Sequence, residues 1–332
     1  MSKNGGPMGE ILSLAGQNLL TPMILSFVLG LAAALARSEL SVPEAAAKMM
    51  SLYLLFAIGF KGGVAVSAHG WDGHLLSAMA GGVALSFGLP FLAFALLRGI
   101  TRLSVVDAAA VAAHYGSISI VTFVTATSVL AAQGIASEGF MVAVAAAMEA
   151  PAIVSALWLV ARSGNGVRMD ARLWHEILLN GSIVLLVGSF LIGAITGEAG
   201  MARIEPMVVT AFQGILCLFL LDMGLVAGRG LRSTRGTLGA GVVAFGLLMP
   251  LLGAAAGLGV ALVVGLSPGG VALMMTLAAS ASYIAVPAAM RVALPEANPS
   301  VSLTLALGIT FPFNLIIGIP SYVAVALALT GG

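Results

Sequence analysis

Charged side chains are scarce in this 332-residue chain: Asp, Glu, Lys and Arg together make up only 8% of it. Soluble domains carry about a quarter, so a water-facing surface cannot be assembled from this composition. A basic surplus is missing too. The formal net charge of +1 excludes the basic patch that nucleic-acid binding needs. The one cysteine, Cys217, lies in an apolar run and can close no internal disulfide, so it says nothing about redox compartment. No H-E-x-x-H motif occurs, which removes that route to a zinc site. No small-residue cleavage site follows the polar opening Met1–Gly6, so no signal peptide is expected.

What the chain has instead is hydrocarbon: 60% of its residues are hydrophobic and the mean hydropathy is +1.11. This describes an all-α, polytopic membrane protein whose principal partner is the lipid bilayer. A crossing needs about 20 apolar residues. Ten spans are expected, at 22–36, 44–67, 75–98, 106–132, 138–161, 174–196, 204–228, 237–264, 269–293 and 299–329. Residues 8–20 are too short to span and suggest an interfacial helix. Thr21-Pro22 is a helix start, and the last span should bend near Pro312 and Pro320.

Lys and Arg set the orientation. With ten spans, Lys3, Lys61 and Arg203 fall on one side, and Arg37, Lys48, Arg98, Arg102, Arg162, Arg168, Arg172, Arg229, Arg232, Arg235 and Arg291 on the other. The positive-inside rule then places both termini outside the cytoplasm and the protein in the cytoplasmic (inner) membrane.

The two halves echo each other. Gly59 matches Gly224 and Gly63 matches Gly228 at an offset of 165, and the same offset carries Ala113-His114-Tyr115-Gly116-Ser117 onto Ala278-Ala279-Ser280-Ala281-Ser282. Pro90 pairs with Pro250, and Pro151 with Pro312. Five spans per half give opposite orientations, so residues 1–162 and 174–332 are expected to form a 5+5 inverted repeat joined by a cytoplasmic loop at 163–173.

Matching stretches of the fourth and ninth spans are interrupted by small polar residues, Tyr115 to Ser119 and Ser280 to Tyr283. Unpaired backbone groups survive at membrane depth only against protein or a water-filled cavity, and each restarted half-helix turns its positive dipole end to the centre. Two such ends facing each other suit a small monoanion without any Lys or Arg. Bicarbonate, with acceptor oxygens and one O–H donor, uses both capacities of a serine hydroxyl. Gly116, Ser117, Ser119, Ser280 and Ser282 are the expected solute contacts, with Tyr115 at the edge of the first break. Glu149, deep in the fifth span, is costly there as a bare carboxylate, so it reads either as a cation ligand or as a protonated packing residue. Na⁺ takes hard oxygen donors, which Glu149 and Thr122 or Thr125 would provide. Asp107 reads as a helix-start carboxylate, Asp222 equally as an ion-pair partner for the Lys61 region or as a transport residue, and His114 as a packed neutral histidine or a proton relay.

Three stretches carry a resemblance: Val106-Asp107-Ala108 through Gly116-x-x-Ser119; Met148-Glu149-Ala150-Pro151-Ala152; and Ala278-Ala279-Ser280-x-Ser282 through Pro287, Arg291, Pro295 and Ala297-Asn298-Pro299-Ser300. In these the chain resembles the sodium-dependent bicarbonate transporters first described in cyanobacteria. The resemblance implies a ten-span inverted repeat with gate-like and core-like bundles, a homotrimer, and Na⁺-coupled bicarbonate uptake without a cofactor. It puts the site roles on Gly116, Ser119, Thr122, Glu149, Ser280 and Ser282. Where the cyanobacterial pattern has Ser-Asp-Ile-Ser-Gly-Pro, this chain has Ser282-Tyr283-Ile284-Ala285-Val286-Pro287. An acidic residue and a hydroxyl are thus replaced, and Tyr283 is expected to offer its phenol to the solute. The loop at 163–172 is short, so a PII-like regulator is not implied. Two other readings remain: a Na⁺- or proton-coupled carrier of another organic monoanion, and an intramembrane hydrolase using Ser117 or Ser119 with His114 as base.

Overall fold

Proline and serine set where the helices begin. Ser104 and Ser267 accept backbone N–H bonds from residues three further on, and Pro22, Pro268 and Pro299 each occupy a first helical turn, where a missing N–H costs nothing. The computed structural model describes residues 21–69, 73–162, 175, 179, 181–233 and 239–330. Residues 8–20 and the connecting loop 163–173 lie outside this set. The described residues are all helix and connection: α1 (Pro22–Leu35), α2 (Glu44–His69), α3 (Gly73–Ile100), α4 (Val105–Gly116), α5 (Ile120–Ala132), α6 (Met141–Ala147), α7 (Pro151–Arg162), α8 (Gly181–Glu205), α9 (Phe212–Ser233), α10 (Ala240–Val264), α11 (Pro268–Ala279), α12 (Ala285–Ala293) and α13 (Pro299–Thr330).

Eight stretches among the described residues are long and apolar enough to cross a bilayer, and α1 and α11 are shorter apolar helices. One of the eight, Ile183–Thr210, is folded back on itself. Gly197 takes φ 55° and ψ −152°, which breaks the helix and favours glycine. Before it, the chain runs alongside α2, from Leu186 at Gly59 to Phe190 and Ala194 at Gly63. After it, Met207 has returned to Tyr53, whose hydroxyl bonds the Met207 carbonyl.

The helices sort into two groups. In one, α2 packs on α8 and α1 on α9, both through glycine. A Cβ at Gly59 or Gly63 would collide with Leu186, Ser189 or Phe190, and one at Gly224 or Gly228 with Phe27, Leu31 or Ala34. With no hydrophobic drive between helices in lipid, such close backbone contact supplies the association. Arg232 donates to the Ala34 carbonyl at the end of α1, matching a cation to its negative dipole end, and Arg229 donates to the Leu40 carbonyl in the connection that follows. The second group, α3 to α7 with α10 to α13, holds the interrupted helices. There α3 packs on α4 as α10 packs on α11.

Three expectations need correcting. The fifth span is not one helix: it is broken at Met148–Ala150, just before Pro151, whose absent N–H cannot continue the ladder. The tenth does not simply kink at proline; wide π turns at Ala306–Thr310 and Asn314–Gly318 flank Pro312 and absorb its missing bond. Asp222 is buried, and Lys61 lies over the Phe212 ring at 4.3 Å rather than against Asp222.

Candidate functional site at the crossing of the broken helices

The interruptions fall where the small polar runs lie. Helix α4 stops at Gly116; Ser117 (φ −89°, ψ 151°) is extended, and Ser119 caps α5 by accepting from the Thr122 N–H. Gly116 packs against Pro90 and Ala152, so closely that a Cβ there would stand 2.8 Å from the Ala152 Cβ. Helix α11 stops at Ala279; Ser280 (φ −83°, ψ 164°) is extended, and α12 begins at Ala285. The two extended segments are joined directly. The Ser119 N–H donates to Ser280 Oγ at 2.8 Å, and the Ser282 N–H donates to the His114 carbonyl at 2.7 Å. Backbone groups orphaned by one break are thus satisfied by the other.

Around this junction lies a cavity of about 10 Å³ lined by Ile118, Ser119, Ile120, Glu149, Ser282, Tyr283 and Ile284. Glu149 reaches it because the fifth crossing is broken at that residue, with the preceding Met148 carbonyl held by the Ser86 hydroxyl at 2.6 Å. Glu149 is 3% exposed and its Oε2 has no hydrogen-bond partner. A buried carboxylate oxygen without a donor is expensive in hydrocarbon. Thr122 stands one step behind, its hydroxyl donating to Ser119 Oγ at 2.9 Å. The Tyr283 hydroxyl lies beside Ser119 without completing a hydrogen bond.

The structure therefore gathers Ser119, Ser282, Tyr283 and Glu149 at one cavity, with Ser280 and Thr122 bonded to Ser119. Three expected contacts point elsewhere. Gly116 is a packing position. Ser117 is buried with its Oγ unpartnered, away from the cavity lining. Tyr115 bonds Thr310 Oγ1 at 2.6 Å and stands edge-on to Phe245, tying the first break to α13. His114 Nε2 and Ser117 Oγ each lack a partner, so the nucleophile–base pair of a hydrolase is not formed between them. Asp107, as expected, sits in the first turn of α4; its Oδ1 accepts the Asn298 N–H at 2.8 Å.

Sequence reasoning passed over Asn314 and Tyr322. Asn314 is fully buried, donates to the Ala279 carbonyl at the end of α11 and accepts the Tyr322 hydroxyl, both at 2.9 Å. A buried asparagine two residues after Pro312, in an otherwise apolar span, was the available signal.

The sequence model of the Na⁺-dependent bicarbonate transporter superfamily matches residues 22–327, nearly the whole chain. No curated protein matches it.

Proposed function

The chain belongs to the Na⁺-dependent bicarbonate transporter superfamily, and on that premise we propose that it is a secondary transporter that takes up bicarbonate across the cytoplasmic membrane, driven by Na⁺. The observation that carries this is the cavity shared by both breaks and by the unpartnered Glu149 oxygen. Ser119 and Ser282 present hydroxyls that accept the bicarbonate O–H or donate to its oxygens. Glu149, with Thr122 behind it and the exposed carbonyls of the breaks, offers the hard oxygens Na⁺ prefers. The acidic residue missing after Ser282 is then replaced by Glu149 alone, and the cation's charge sits beside the anion it accompanies.

The proposed architecture is a ten-crossing 5+5 inverted repeat, with Gly197 marking the turn between the sixth and seventh crossings. Reciprocal packing supports it. Gly59 and Gly63 on α2 take α8, while their counterparts Gly224 and Gly228 on α9 take α1, as a two-fold relation between halves requires. A cavity of about 10 Å³ holds at most one water. Solute entry therefore requires the junction to part, with the Ser119–Ser280 and Ser282–His114 bonds as the contacts to be exchanged for solute.

Labelled bicarbonate uptake into proteoliposomes, with and without a Na⁺ gradient, tests the proposal. Uptake that needs the gradient is expected. Uptake unchanged when choline replaces Na⁺ would remove the coupling, and displacement of bicarbonate by acetate or pyruvate at micromolar levels would replace the cargo with an organic monoanion.

A further inference from the structure

A second cavity, of about 130 Å³, adjoins the junction and plays no part in the site just described. It is lined by Ala110, His114, Pro287, Met290, Leu294, Pro295, Ala297, Pro299 and Ser302, between α4, α12 and the start of α13. Its size is well above the roughly 10–15 Å³ that a single water needs. Pro295 and Pro299 are exposed at its outer end, so it reaches from the aqueous face to His114.

The His114 ring is 2% exposed. Its Nδ1 lies 2.7 Å from the Ala110 carbonyl. A carbonyl can only accept, so Nδ1 carries the hydrogen and the neutral ring keeps a bare lone pair on the buried Nε2. That Nε2 has no partner in the protein. Ser302, the other polar side chain of the lining, spends its hydroxyl hydrogen on the Pro299 carbonyl at 3.2 Å and likewise presents a lone pair. The two polar side chains of the lining thus offer acceptors and no donor, which suits water and a proton rather than an anion.

The other wall of this arrangement is the solute junction, since the His114 carbonyl receives the Ser282 N–H. No charged side chain among the described residues lines the cavity. On α4, Asp107 is bonded to Ser104 and Asn298. On α3, Arg98 donates to the Leu103 carbonyl. On α7, Arg162 is an exposed final residue. On α12, the Arg291 side chain lies outside the described residues. Helices α11 and α13 carry no charge, and Glu296 is exposed in the turn between α12 and α13. Glu149 belongs to the junction cavity on the far side of Ser282.

We propose that His114 is a proton-binding site fed through this cavity, and that its protonation supplies the fixed positive charge the anion site otherwise lacks. Hydronium entering the cavity gives its proton to Nε2 and leaves as water. The imidazolium so formed keeps its Nδ1–H bond to Ala110 and directs the new N–H to cavity water. Proton and anion then favour each other's binding reciprocally. The inference rests on the bicarbonate reading only for the identity of the anion.

The test is calorimetric titration of the purified protein with bicarbonate, at constant Na⁺, in buffers of different ionisation enthalpy. Uptake of up to about one proton per ion bound is expected, with affinity rising up to about tenfold for each pH unit lowered. His114→Gln should bind more weakly and take up no proton. Binding without proton uptake, or equal uptake in His114→Gln, overturns the inference and leaves the bicarbonate reading standing. Absence of bicarbonate binding at any pH overturns that reading instead. Deuterium exchange at the ring C2–H, read by mass spectrometry on the unaltered protein, then decides for His114 by itself, and does so too if the variant fails to fold. Exchange at His114 comparable to that at the exposed His74 sustains the proton site. No exchange at His114 while His74 exchanges rejects it.

Discussion

At the scale of single residues, the interior resolves into polar atoms that are bonded and a few that are not. Ser280, Thr122, Thr310 and Asn314 all have partners, whereas Glu149 Oε2 and the hydroxyl of Tyr283, two residues that line the junction cavity, complete no hydrogen bond. On the proposed reading Glu149 is a ligand position and the bonded Asn314 is scaffold, and the two make opposite predictions. Glu149→Gln removes a charged ligand, and charge-assisted contacts are worth about 1.5–3 kcal/mol. The Na⁺ concentration for half-maximal bicarbonate uptake should therefore rise by roughly 10- to 100-fold, with thermal stability held or improved because no bare charge remains buried. Asn314→Leu should do the reverse. It leaves the Ala279 carbonyl and the Tyr322 hydroxyl buried without partners, at about 1–3 kcal/mol each, so detergent-solubilised protein should melt earlier while any that stays folded keeps its Na⁺ dependence.

Among the elements, each interrupted helix is fastened to the opposite half by an acidic side chain. Glu138, between α5 and α6, accepts the Ser267 N–H at 2.6 Å and its hydroxyl at 3.0 Å, at the start of α11. Asp107, on α4, accepts the Asn298 N–H ahead of α13. Negative charge at a helix N-terminus is favourable, so Glu138→Ala should cost about 0.5–2 kcal/mol, seen as a lower midpoint in thermal unfolding. The glycine contacts are less forgiving. Gly224→Leu puts a side chain where the Phe27 carbonyl and Leu31 backbone already stand, and the α1–α9 pair cannot separate without losing the contact that holds it. Failure to accumulate as folded protein is expected, measured by monodispersity in size-exclusion chromatography.

For the whole molecule, the proposed ten crossings and the charge asymmetry together predict one orientation. The arginines that hold the end of α1 and the connection after it, Arg232 and Arg229, lie on the side assigned to the cytoplasm, so the last turn of α13 should face outward. In a Cys217→Ser background, Thr330→Cys should react with a membrane-impermeant maleimide added to intact cells. Labelling only after the membrane is permeabilised would reverse the assignment.

Much of this was legible in the chain. Scarce charge and long apolar runs dictate an all-helical membrane protein, because only closed backbone hydrogen bonding survives in hydrocarbon. Interruptions by small and hydroxyl residues at a constant offset locate both breaks to within a few residues. The break at Glu149 was hidden because Met141–Ala147 reads as an unremarkable helical run, and the partners Asn314, Tyr322 and Thr310 were hidden for a different reason. A helix apolar on every face, as α10 is, has no polar side to declare which way it turns, and the polar residues of α13 do not by themselves say which neighbour they meet. Composition and repeat spacing thus determined the solvent, the class and the interrupted crossings. Which side chains meet at the crossing, Glu149 with Ser119 and Ser282 but Tyr115 with Thr310, was decided by tertiary packing, since in a uniformly apolar chain only the close approach of backbones at glycine sets the rotation of each helix.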